Sequence, residues 1–400
     1  MAFKNYLGTW WVRVLLIWAA TRLLTTALFL SLAQTQGPTY WTDEKPSYFD
    51  FLNIWDAEWF ERIYKFGFGG VEGYQSILPT GANGSVDQNS WAFMPGFPFL
   101  VRWLDFGPGW AIMAPTTSLL LSFVLALLVY RVLLQRFDAT VSLWGVALLG
   151  LSAPSIIFQA GYADTLGLVL LASALLLILQ GRFLTALAPI LLLSLTRPGV
   201  VALALALILF WLVKFWNHLG GTYEFAWGER IRLGFLAVAT SLLGWLWSAV
   251  AWLVTGRADA YLATELSWRA SFIGESRLVP FEGWSVSAAY FWGKPWGPYI
   301  MLGLVVVALA LLFTKEVRNL GLVLWLWVAS YYAYLLLVFF PQSSTFRVLL
   351  MVFPLFGSLS SWMLKYPKPL RWFVVVAFAI LQWWWLWECW RYVAPDFSPP

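Results

Sequence analysis

Apolar runs of about 20 residues recur along nearly the whole chain and constrain its fold more than any other feature. A hydrocarbon core about 30 Å thick needs a helix of about that length to cross it. Only helices and closed barrels satisfy their backbone polar groups in lipid, and the long, leucine-rich runs favour helices. Since 61% of residues are hydrophobic and 11% are charged, the sequence predicts an all-α polytopic membrane protein.

The boundaries of these runs predict about eleven transmembrane helices, and nine is the lower limit because the third to fifth runs are short. The predicted spans are 10–33, 110–133, 140–158, 162–180, 183–197, 198–216, 233–254, 297–313, 319–340, 347–364 and 370–390. We expect residues 1–400 to form a single integral-membrane domain. Two large polar connections, 34–109 and 255–296, interrupt the pattern.

The distribution of charge predicts which side of the membrane the polar connections occupy. Lys and Arg in short loops favour the cytoplasm, which places the N-terminus inside and both large connections outside. Only four of the 20 acidic residues then fall on the cytoplasmic side, and 20 − 4 = 16 lie outside or at the outer boundary. We therefore expect a functional site at the non-cytoplasmic face, with the first external loop carrying interfacial helices.

Several classes of site are excluded by composition. The single cysteine, Cys389, cannot form an internal disulfide, and with the single histidine, His218, it cannot form a His/Cys metal cluster. The net charge of +5 is spread over the loops, so nucleic acid is not an expected partner. We expect no metal and no cofactor.

The stretch "NIWDAEWFERIYKFGF" (53–68) places three carboxylates close together in a chain where charge is scarce. If 55–66 is helical, Glu58 and Glu61 fall on its polar face, whereas Asp56 falls within the apolar arc. A carboxylate on an apolar face needs a nearby partner, which favours a functional Asp56. Alternatively, Asn53 caps the helix and Asp56 stabilises its positive end. The geometry leaves both interpretations open.

Two further bends carry polar side chains. "LSAPSIIFQAGYADTLGL" (151–168) predicts that Tyr162 and Asp164 lie at the external surface, where two short helices meet. "LSLTRPGVVALAL" (193–205) predicts the same for Arg197. For Asp164 the alternative is a carboxylate that stabilises a helix N-terminus, and for Arg197 it is an interfacial side chain that reaches towards water.

Four motifs in order resemble the PIG-V family, the GPI mannosyltransferases that add the second mannose, and their bacterial relatives. "WDAEWFERIYKFGF" followed by "WAFMPGFPFLVR" is similar to the family's first external loop. "SAPSIIFQAGYADTL", "LTRPG" and "STFRVLLMVFPLF" resemble its later motifs. The matches extend from residue 54 to residue 356, which is most of the chain.

The resemblance implies a GT-C-type membrane glycosyltransferase with its active site at the non-cytoplasmic face. Asp56 matches the family's catalytic base. Tyr162, Asp164, Arg197, Arg347 and Trp59 are the expected substrate-binding residues. Trp59 stands where eukaryotic members often have His, and Asp164 stands where Glu is common. The first departure puts the identity of the acceptor in doubt.

The topology favours a lipid-linked sugar donor, because nucleotide sugars are cytoplasmic. The expected partners are a polyprenyl-phosphate or dolichyl-phosphate mannose, a glycolipid or envelope-glycan acceptor, and the bilayer. Arg or Lys can stabilise the leaving phosphate without metal. Among the external cations we favour Arg347; the others are Arg197, Arg269, Arg277 and Lys294. The membrane is the plasma membrane in a bacterium and the endoplasmic reticulum in a eukaryote.

A transporter or flippase for lipid-linked sugars is the alternative function. Such proteins typically have inverted repeats and ionisable residues near the membrane midplane. The sequence has no recognisable repeat, and its acids cluster towards one face. Arg22, within the first span, is the main exception and has no explanation from sequence.

The predicted orientation is tested by labelling with a membrane-impermeant thiol reagent after Cys389 is replaced by serine. We expect Ser85→Cys, in the first large connection, to react from the non-cytoplasmic side because that connection is predicted to be external. Thr222→Cys, in a predicted cytoplasmic loop, is the matched control and should react only after the membrane is opened. Labelling of Ser85→Cys from the cytoplasmic side alone would overturn the orientation.

Overall fold

A computed structural model describes residues 9–70, 72–82, 84–274, 277–394 and 400. Its regular structure in these ranges is helical, apart from an isolated bridge between Thr80 and Val86. In chain order the α-helices are α1 (Trp10–Ala33), α2 (Tyr48–Phe51), α3 (Ala57–Phe66), α4 (Gly96–Leu104), α5 (Trp110–Leu133), α6 (Ala139–Leu151), α7 (Asp164–Leu179), α8 (Phe183–Ser194), α9 (Val200–Leu219), α10 (Trp227–Leu243), α11 (Leu246–Thr255), α12 (Ala260–Ile273), α13 (Glu282–Trp292), α14 (Trp296–Leu311), α15 (Lys315–Arg318), α16 (Gly321–Val338), α17 (Thr345–Val348), α18 (Leu355–Met363) and α19 (Lys368–Trp385). Short 3₁₀ segments are Ser90–Ala92, Ala153–Gln159 and Leu349–Val352, and Leu386–Trp390 is a π-helix.

Each apolar run predicted as a span is helical, which confirms the all-α membrane class. Within the described ranges, six helical segments are long and apolar enough to cross a membrane, and two bent pairs raise this number to eight. The six are Trp10–Ala33, Trp110–Leu133, Val200–Leu219, Trp227–Thr255, Gly321–Val338 and Lys368–Trp390. The shorter apolar helices are α7, α8 and α14. The number of spans, nine to eleven, stays a prediction.

Two predicted spans are broken rather than straight. α6 and the following 3₁₀ segment meet at 81°, and Thr345–Val352 meets α18 at 82°. Pro154 and Pro354 lie at these breaks. Proline lacks the N–H that a continuing helix needs and restricts the residue before it, so each break has a local cause.

The chain divides into two compact units, each built from segments distant in sequence. Unit 1 contains Met1–Glu58, Val101–Leu176 and Ser343–Pro400, and unit 2 contains Trp59–Leu100 and Leu177–Gln342. The prediction of one functional domain over 1–400 stays a prediction. Unit 1 contains Asp56, Tyr162, Asp164 and Arg347 together.

Arg22 in unit 1 binds the broken α6 segment instead of a carboxylate. Its guanidinium donates to the backbone oxygens of Ser155, at 2.7 Å, and Gly150. Gln382 donates to the Ser155 hydroxyl at 2.6 Å. The Arg22 side chain is buried and lies over the Phe158 ring. A break in a helix leaves carbonyl groups without intrahelical partners, and Arg22 satisfies them.

Aromatic side chains form the centre of unit 1. Phe29 packs edge-on against Phe51 and Trp390, with ring centroids 5.9 Å and 5.5 Å apart. The Trp390 indole donates to the Phe51 carbonyl at 2.8 Å. Trp390 is fully buried. This indole therefore links the segment around Trp390 to the segment that precedes Asp56.

Unit 2 has its own aromatic core. Tyr74, Trp91 and Trp247 are mutually in contact, with centroid distances between 4.9 Å and 5.3 Å. The Trp247 indole donates to the Trp91 carbonyl, and the Tyr74 hydroxyl donates to that of Phe93. These bonds satisfy polar groups of a buried loop. The part of the first large connection that belongs to unit 2, within 59–100, is therefore packed around Trp91.

The Arg22 contacts generate a stability prediction. We expect Arg22→Met to lower the free energy of unfolding by roughly 2–3 kcal/mol, because buried carbonyls lose a charged donor. Arg13→Met is the matched control, since Arg13 lies on the same helix with an exposed side chain. Thermal unfolding of the detergent-purified variants measures the difference. Equal midpoints for the two variants would contradict this role for Arg22.

Candidate functional site

Asp56 lies in a turn immediately before α3. The helix begins at Ala57, so the predicted helix over 55–66 is wrong at its first two residues. Asn53 does not cap α3, because its side-chain amide donates to the carbonyls of Phe49 and Ala111, both at 2.9 Å. The alternative that placed Asp56 at the third helical position is therefore wrong as well.

The backbone at Trp55 is strained, and this strain sets the direction of Asp56. Trp55 has φ of +64°, a conformation that bulky L-residues rarely adopt. The Tyr162 hydroxyl accepts from the Asp56 N–H at 3.0 Å and donates to the Ile54 carbonyl at 3.3 Å. One phenol thus holds both sides of the strained residue. Such a conformation is stable only where several surrounding contacts hold it, as they do here.

Two further contacts hold the same turn. The Trp55 indole donates to the Trp390 carbonyl at 2.7 Å. Gly161 donates to the Leu52 carbonyl, and a Cβ at Gly161 would lie 2.4 Å from Oδ1 of Asn53. Only glycine permits this close approach of the two segments. The close approach places Tyr162, the next residue, beside the Asp56 backbone.

Arg347 binds the Asp56 carboxylate directly. Its Nη1 lies 2.9 Å from Oδ2 of Asp56 and 3.9 Å from Oδ2 of Asp164. The guanidinium also lies over the Tyr162 ring, with Cζ 5.1 Å from the centroid. Four of the residues predicted for the site, including the predicted base, are therefore assembled in unit 1.

Burial distinguishes the members of this cluster. Side-chain exposure is 2% for Asp164, 9% for Arg347 and 21% for Asp56. Tyr162 is fully buried. Tyr162 and Asp164 are thus enclosed by protein, and their predicted position at the external face of the membrane stays a prediction. Asp56 is the carboxylate that an external molecule can reach.

The cluster contains one more carboxylate than cation. Asp56 and Asp164 both face the Arg347 guanidinium, with Nη1 2.9 Å and 3.9 Å from their Oδ2 atoms. The Tyr162 phenol is fully buried, and it hydrogen-bonds the Asp56 N–H and the Ile54 carbonyl. Tyr162 therefore acts as a hydrogen-bonding group that holds Asp56 in place.

The other two carboxylates of the opening stretch have separate contacts. Glu61 forms an i,i+4 ion pair with Lys65 at 2.8 Å on the polar face of α3. Glu58 instead accepts from the Trp41 indole at 2.8 Å. Trp41 packs on Trp55, with centroids 5.0 Å apart. Glu58 thus supports the aromatic surroundings of the turn.

Trp59 and Arg197 lie in unit 2. The Trp59 ring stacks on Phe93, with an interplanar angle of 6°, and packs edge-on against Trp268. Arg197 lies in the bend between α8 and α9 and is partly buried. The predicted substrate-binding roles of Tyr162, Asp164, Arg197, Arg347 and Trp59 stay predictions.

Sequence reasoning missed a second polar group in unit 2. Tyr261, Glu265 and Arg269 follow one another at intervals of four residues on α12. Tyr334 on α16 and Arg197 interact electrostatically with this group. The spacing is a signal that could have identified it, because residues four apart share a helix face. Among the described residues, no three His, Cys, Asp or Glu side chains converge in a way that could hold a metal ion.

Comparison with known proteins gives structural similarity alone. No protein-family model and no curated protein match the chain. The chain is similar to the crystal structure of the Archaeoglobus fulgidus oligosaccharyltransferase in complex with zinc and sulfate, with a TM-score of 0.47 and 12% identity over 92% of this chain and 52% of that chain. It is also similar to that oligosaccharyltransferase tethered by a disulfide to an acceptor peptide containing the NVT sequon, with a TM-score of 0.45 and 13% identity over 95% and 56%. The chain spans about half the length of these structures.

The contacts of Arg347 generate a second stability prediction. We expect Arg347→Met to lower the free energy of unfolding by roughly 3–5 kcal/mol, because the buried Asp164 carboxylate and the partly exposed Asp56 carboxylate lose their cation. Adding Asp164→Asn should restore part of the loss by removing one uncompensated charge. Arg136→Met, at an exposed position in unit 1, is the control. The absence of any rescue by Asp164→Asn in thermal unfolding would show that Asp164 and Arg347 are not coupled.

Proposed function

We propose that the chain is a membrane glycosyltransferase that transfers a sugar from a polyprenyl-phosphate donor to a glycolipid or envelope-glycan acceptor at the non-cytoplasmic face. The resemblance of its motifs to the PIG-V family supports mannose as the sugar and an α-linked product. We also propose that the reaction does not require a metal ion.

The observation that carries the proposal is the geometry of Asp56. A general base must be reachable by the acceptor hydroxyl and held in a fixed direction. Asp56 meets both requirements, because its carboxylate is partly exposed while Tyr162 and Arg347 hold its backbone and side chain. The sequence motif that contains Asp56 supports the same role.

The proposed step is a single in-line displacement at the anomeric carbon. The acceptor oxygen forms a bond to that carbon while the bond to the phosphate oxygen breaks. The acceptor proton passes to Asp56, and the polyprenyl phosphate departs with the bonding electrons, so a β-linked donor gives an α-linked product. The phosphate needs little protonation as it leaves, so one carboxylate suffices, unlike the two carboxylates of an inverting glycosidase.

Arg347 and Asp164 are assigned to the orientation of Asp56. The Arg347 guanidinium occupies Oδ2 of Asp56, and a carboxylate has further lone pairs for an acceptor hydroxyl. Asp164 places a second carboxylate beside Arg347, with Oδ2 of Asp164 3.9 Å from Nη1 of Arg347. This geometry favours a role for Arg347 in positioning Asp56, in addition to the contact with the leaving phosphate that the sequence predicts.

The contacts of Arg22 weaken the transporter alternative. A buried cation within a span is a candidate for an ion or substrate pathway. Here Arg22 donates to the carbonyls of a broken helix, which is a structural role. The feature that most favoured a transporter from sequence therefore has a local explanation.

The proposed chemistry is tested with purified protein, polyprenyl-phosphate mannose and a mannosylated glycolipid acceptor. We expect Asp56→Asn to lower kcat by about 100-fold or more, because the amide cannot accept the acceptor proton. Glu61→Gln, which makes the same chemical change on the exposed face of α3, should keep kcat within about twofold.

Product formation and thermal unfolding are measured on both variants. The base assignment is wrong if correctly folded Asp56→Asn turns over at a near-normal rate. Wild-type protein in EDTA is the control for the metal-independent step, which should proceed unchanged. Complete loss of turnover in EDTA would contradict that part of the proposal.

A further inference from the structure

Trp390 ends the π-helix Leu386–Trp390 and contacts the turn before α3 through both its side chain and its backbone. We propose that Trp390 is a positioning residue, which holds the strained turn at Trp55 so that the Asp56 carboxylate keeps its direction. The inference rests on the proposed role of Asp56 as the base. It adds to the reaction a residue beyond position 356, where the four sequence motifs end.

The indole and the carbonyl of Trp390 bind different parts of the turn. The indole N–H donates to the Phe51 carbonyl at 2.8 Å, and the Trp390 carbonyl accepts from the Trp55 indole at 2.7 Å. Both hydrogen bonds are buried, so a lost partner is not replaced by bulk water. One residue therefore fixes the start of the turn and the side chain of its strained residue.

The Trp390 ring also supports the phenol that holds Asp56. Its centroid lies 5.6 Å from that of Tyr162, with 47° between the ring planes. The Tyr162 hydroxyl accepts from the Asp56 N–H at 3.0 Å. Three separate contacts of Trp390 thus converge on residues that precede the proposed base or bind it.

The π-helical turn determines where Trp390 presents these groups. The Arg391 N–H donates to the Leu386 carbonyl at 3.0 Å, which is the i→i−5 bond of a π-helix. Arg391 then adopts an extended backbone with ψ of 125°, and the helix ends. The Trp390 carbonyl is therefore one of the last carbonyls of the helix, which lack an intrahelical partner. The Trp55 indole supplies that partner.

The chain is held in place on both sides of Trp390. Before it, Gln382 on α19 donates to the Ser155 hydroxyl at 2.6 Å. After it, the backbone of Tyr392 forms two hydrogen bonds with the Gln36 side-chain amide, at 3.0 Å and 2.8 Å. Gln36 and Gln382 are both buried. Trp390 thus contacts the turn from a fixed backbone, as a residue that positions a catalytic group must.

Burial separates this role from contact with substrate. Trp390 is 0% exposed, whereas the Asp56 side chain is 21% exposed. A substrate can reach Asp56 and cannot reach a fully enclosed indole. A change at Trp390 should therefore lower kcat through Asp56 and leave KM nearly unchanged.

The test compares Trp390→Phe with Trp385→Phe in the full chain, with polyprenyl-phosphate mannose and a mannosylated glycolipid as substrates. Both tryptophans are fully buried in unit 1, but the Trp385 indole N–H has no hydrogen-bond partner among the residues that the structure describes. Each substitution keeps an aromatic ring and removes an indole N–H. Only the change at Trp390 removes a bond to the turn.

The two variants should differ in turnover. We expect Trp390→Phe to lower kcat by about tenfold or more with KM within about threefold, because a misplacement of about 1 Å costs up to about 100-fold in rate. Trp385→Phe should keep kcat within about twofold, because it removes no bond that holds the turn.

Amide hydrogen exchange of the segment 50–58 gives a readout that does not depend on turnover. We expect this segment to exchange faster in Trp390→Phe, by about tenfold or more, because its local opening becomes less costly. Exchange in Trp385→Phe should match that of the wild type. Thermal unfolding of both variants measures any general loss of stability.

Trp55→Phe tests the same contact from the other side. It removes the indole N–H that binds the Trp390 carbonyl, and it replaces Trp390→Phe if the latter does not fold. It should also lower kcat at nearly constant KM. The double variant should lose less activity than the product of the two single losses, because both bonds act on one turn.

The proposal is overturned if folded Trp390→Phe keeps near-normal kcat or unchanged exchange of segment 50–58. It is also overturned if Trp385→Phe lowers kcat as much as Trp390→Phe does, since the loss would then follow from general destabilisation. A rise in KM at constant kcat would place Trp390 in substrate binding and contradict the proposal. If the wild type transfers no sugar, the transfer proposal fails, and exchange of segment 50–58 alone decides whether Trp390 holds the turn.

Discussion

The ion pair between Arg347 and Asp56 is the interaction on which the candidate site depends. Its 2.9 Å contact joins residues 291 positions apart in sequence. Asp164 faces the same guanidinium at 3.9 Å, and the guanidinium lies over the Tyr162 ring. Each of these groups would be costly to bury alone, and together they compensate one another. The excess of one carboxylate leaves a place for the proton that the proposed reaction releases.

The strained turn explains why so many contacts converge on a few atoms. A positive φ at Trp55 is unfavourable by itself, and it is held by the Tyr162 hydroxyl and by the bond from the Trp55 indole to Trp390. Gly161 permits the close approach that places the phenol there. The residue after this strained position is Asp56, whose carboxylate contacts Arg347.

The sequence predicts the helical segments well, because length and apolarity are properties of each segment alone. It misses the breaks at Pro154 and Pro354, because a proline can kink a span or end it, depending on what satisfies the freed carbonyls. For the first break that partner is Arg22, 128 to 133 positions away. Such a long-range contact has no signature in a local pattern.

The site shows the same division between local and long-range information. Asp56 was singled out by helical geometry, yet α3 begins one residue after it, so the geometric reason was wrong. Its partner Arg347 was predicted as a site residue from its motif, while the contact between them required the fold. The group around Glu265 was missed because only one of its helices carries a regular spacing. Periodicity identifies a face, and only the structure identifies what meets it.

The proposed reaction requires that Asp56 receives the proton of the acceptor hydroxyl. This is tested most directly by a cryo-electron microscopy structure of the full chain with a non-transferable polyprenyl-phosphate sugar and an acceptor glycolipid bound. We expect an acceptor hydroxyl about 2.6–3.2 Å from a carboxylate oxygen of Asp56, with the Arg347 guanidinium still bound to Oδ2. An acceptor hydroxyl bound to a different basic group, with Asp56 out of reach, would contradict it.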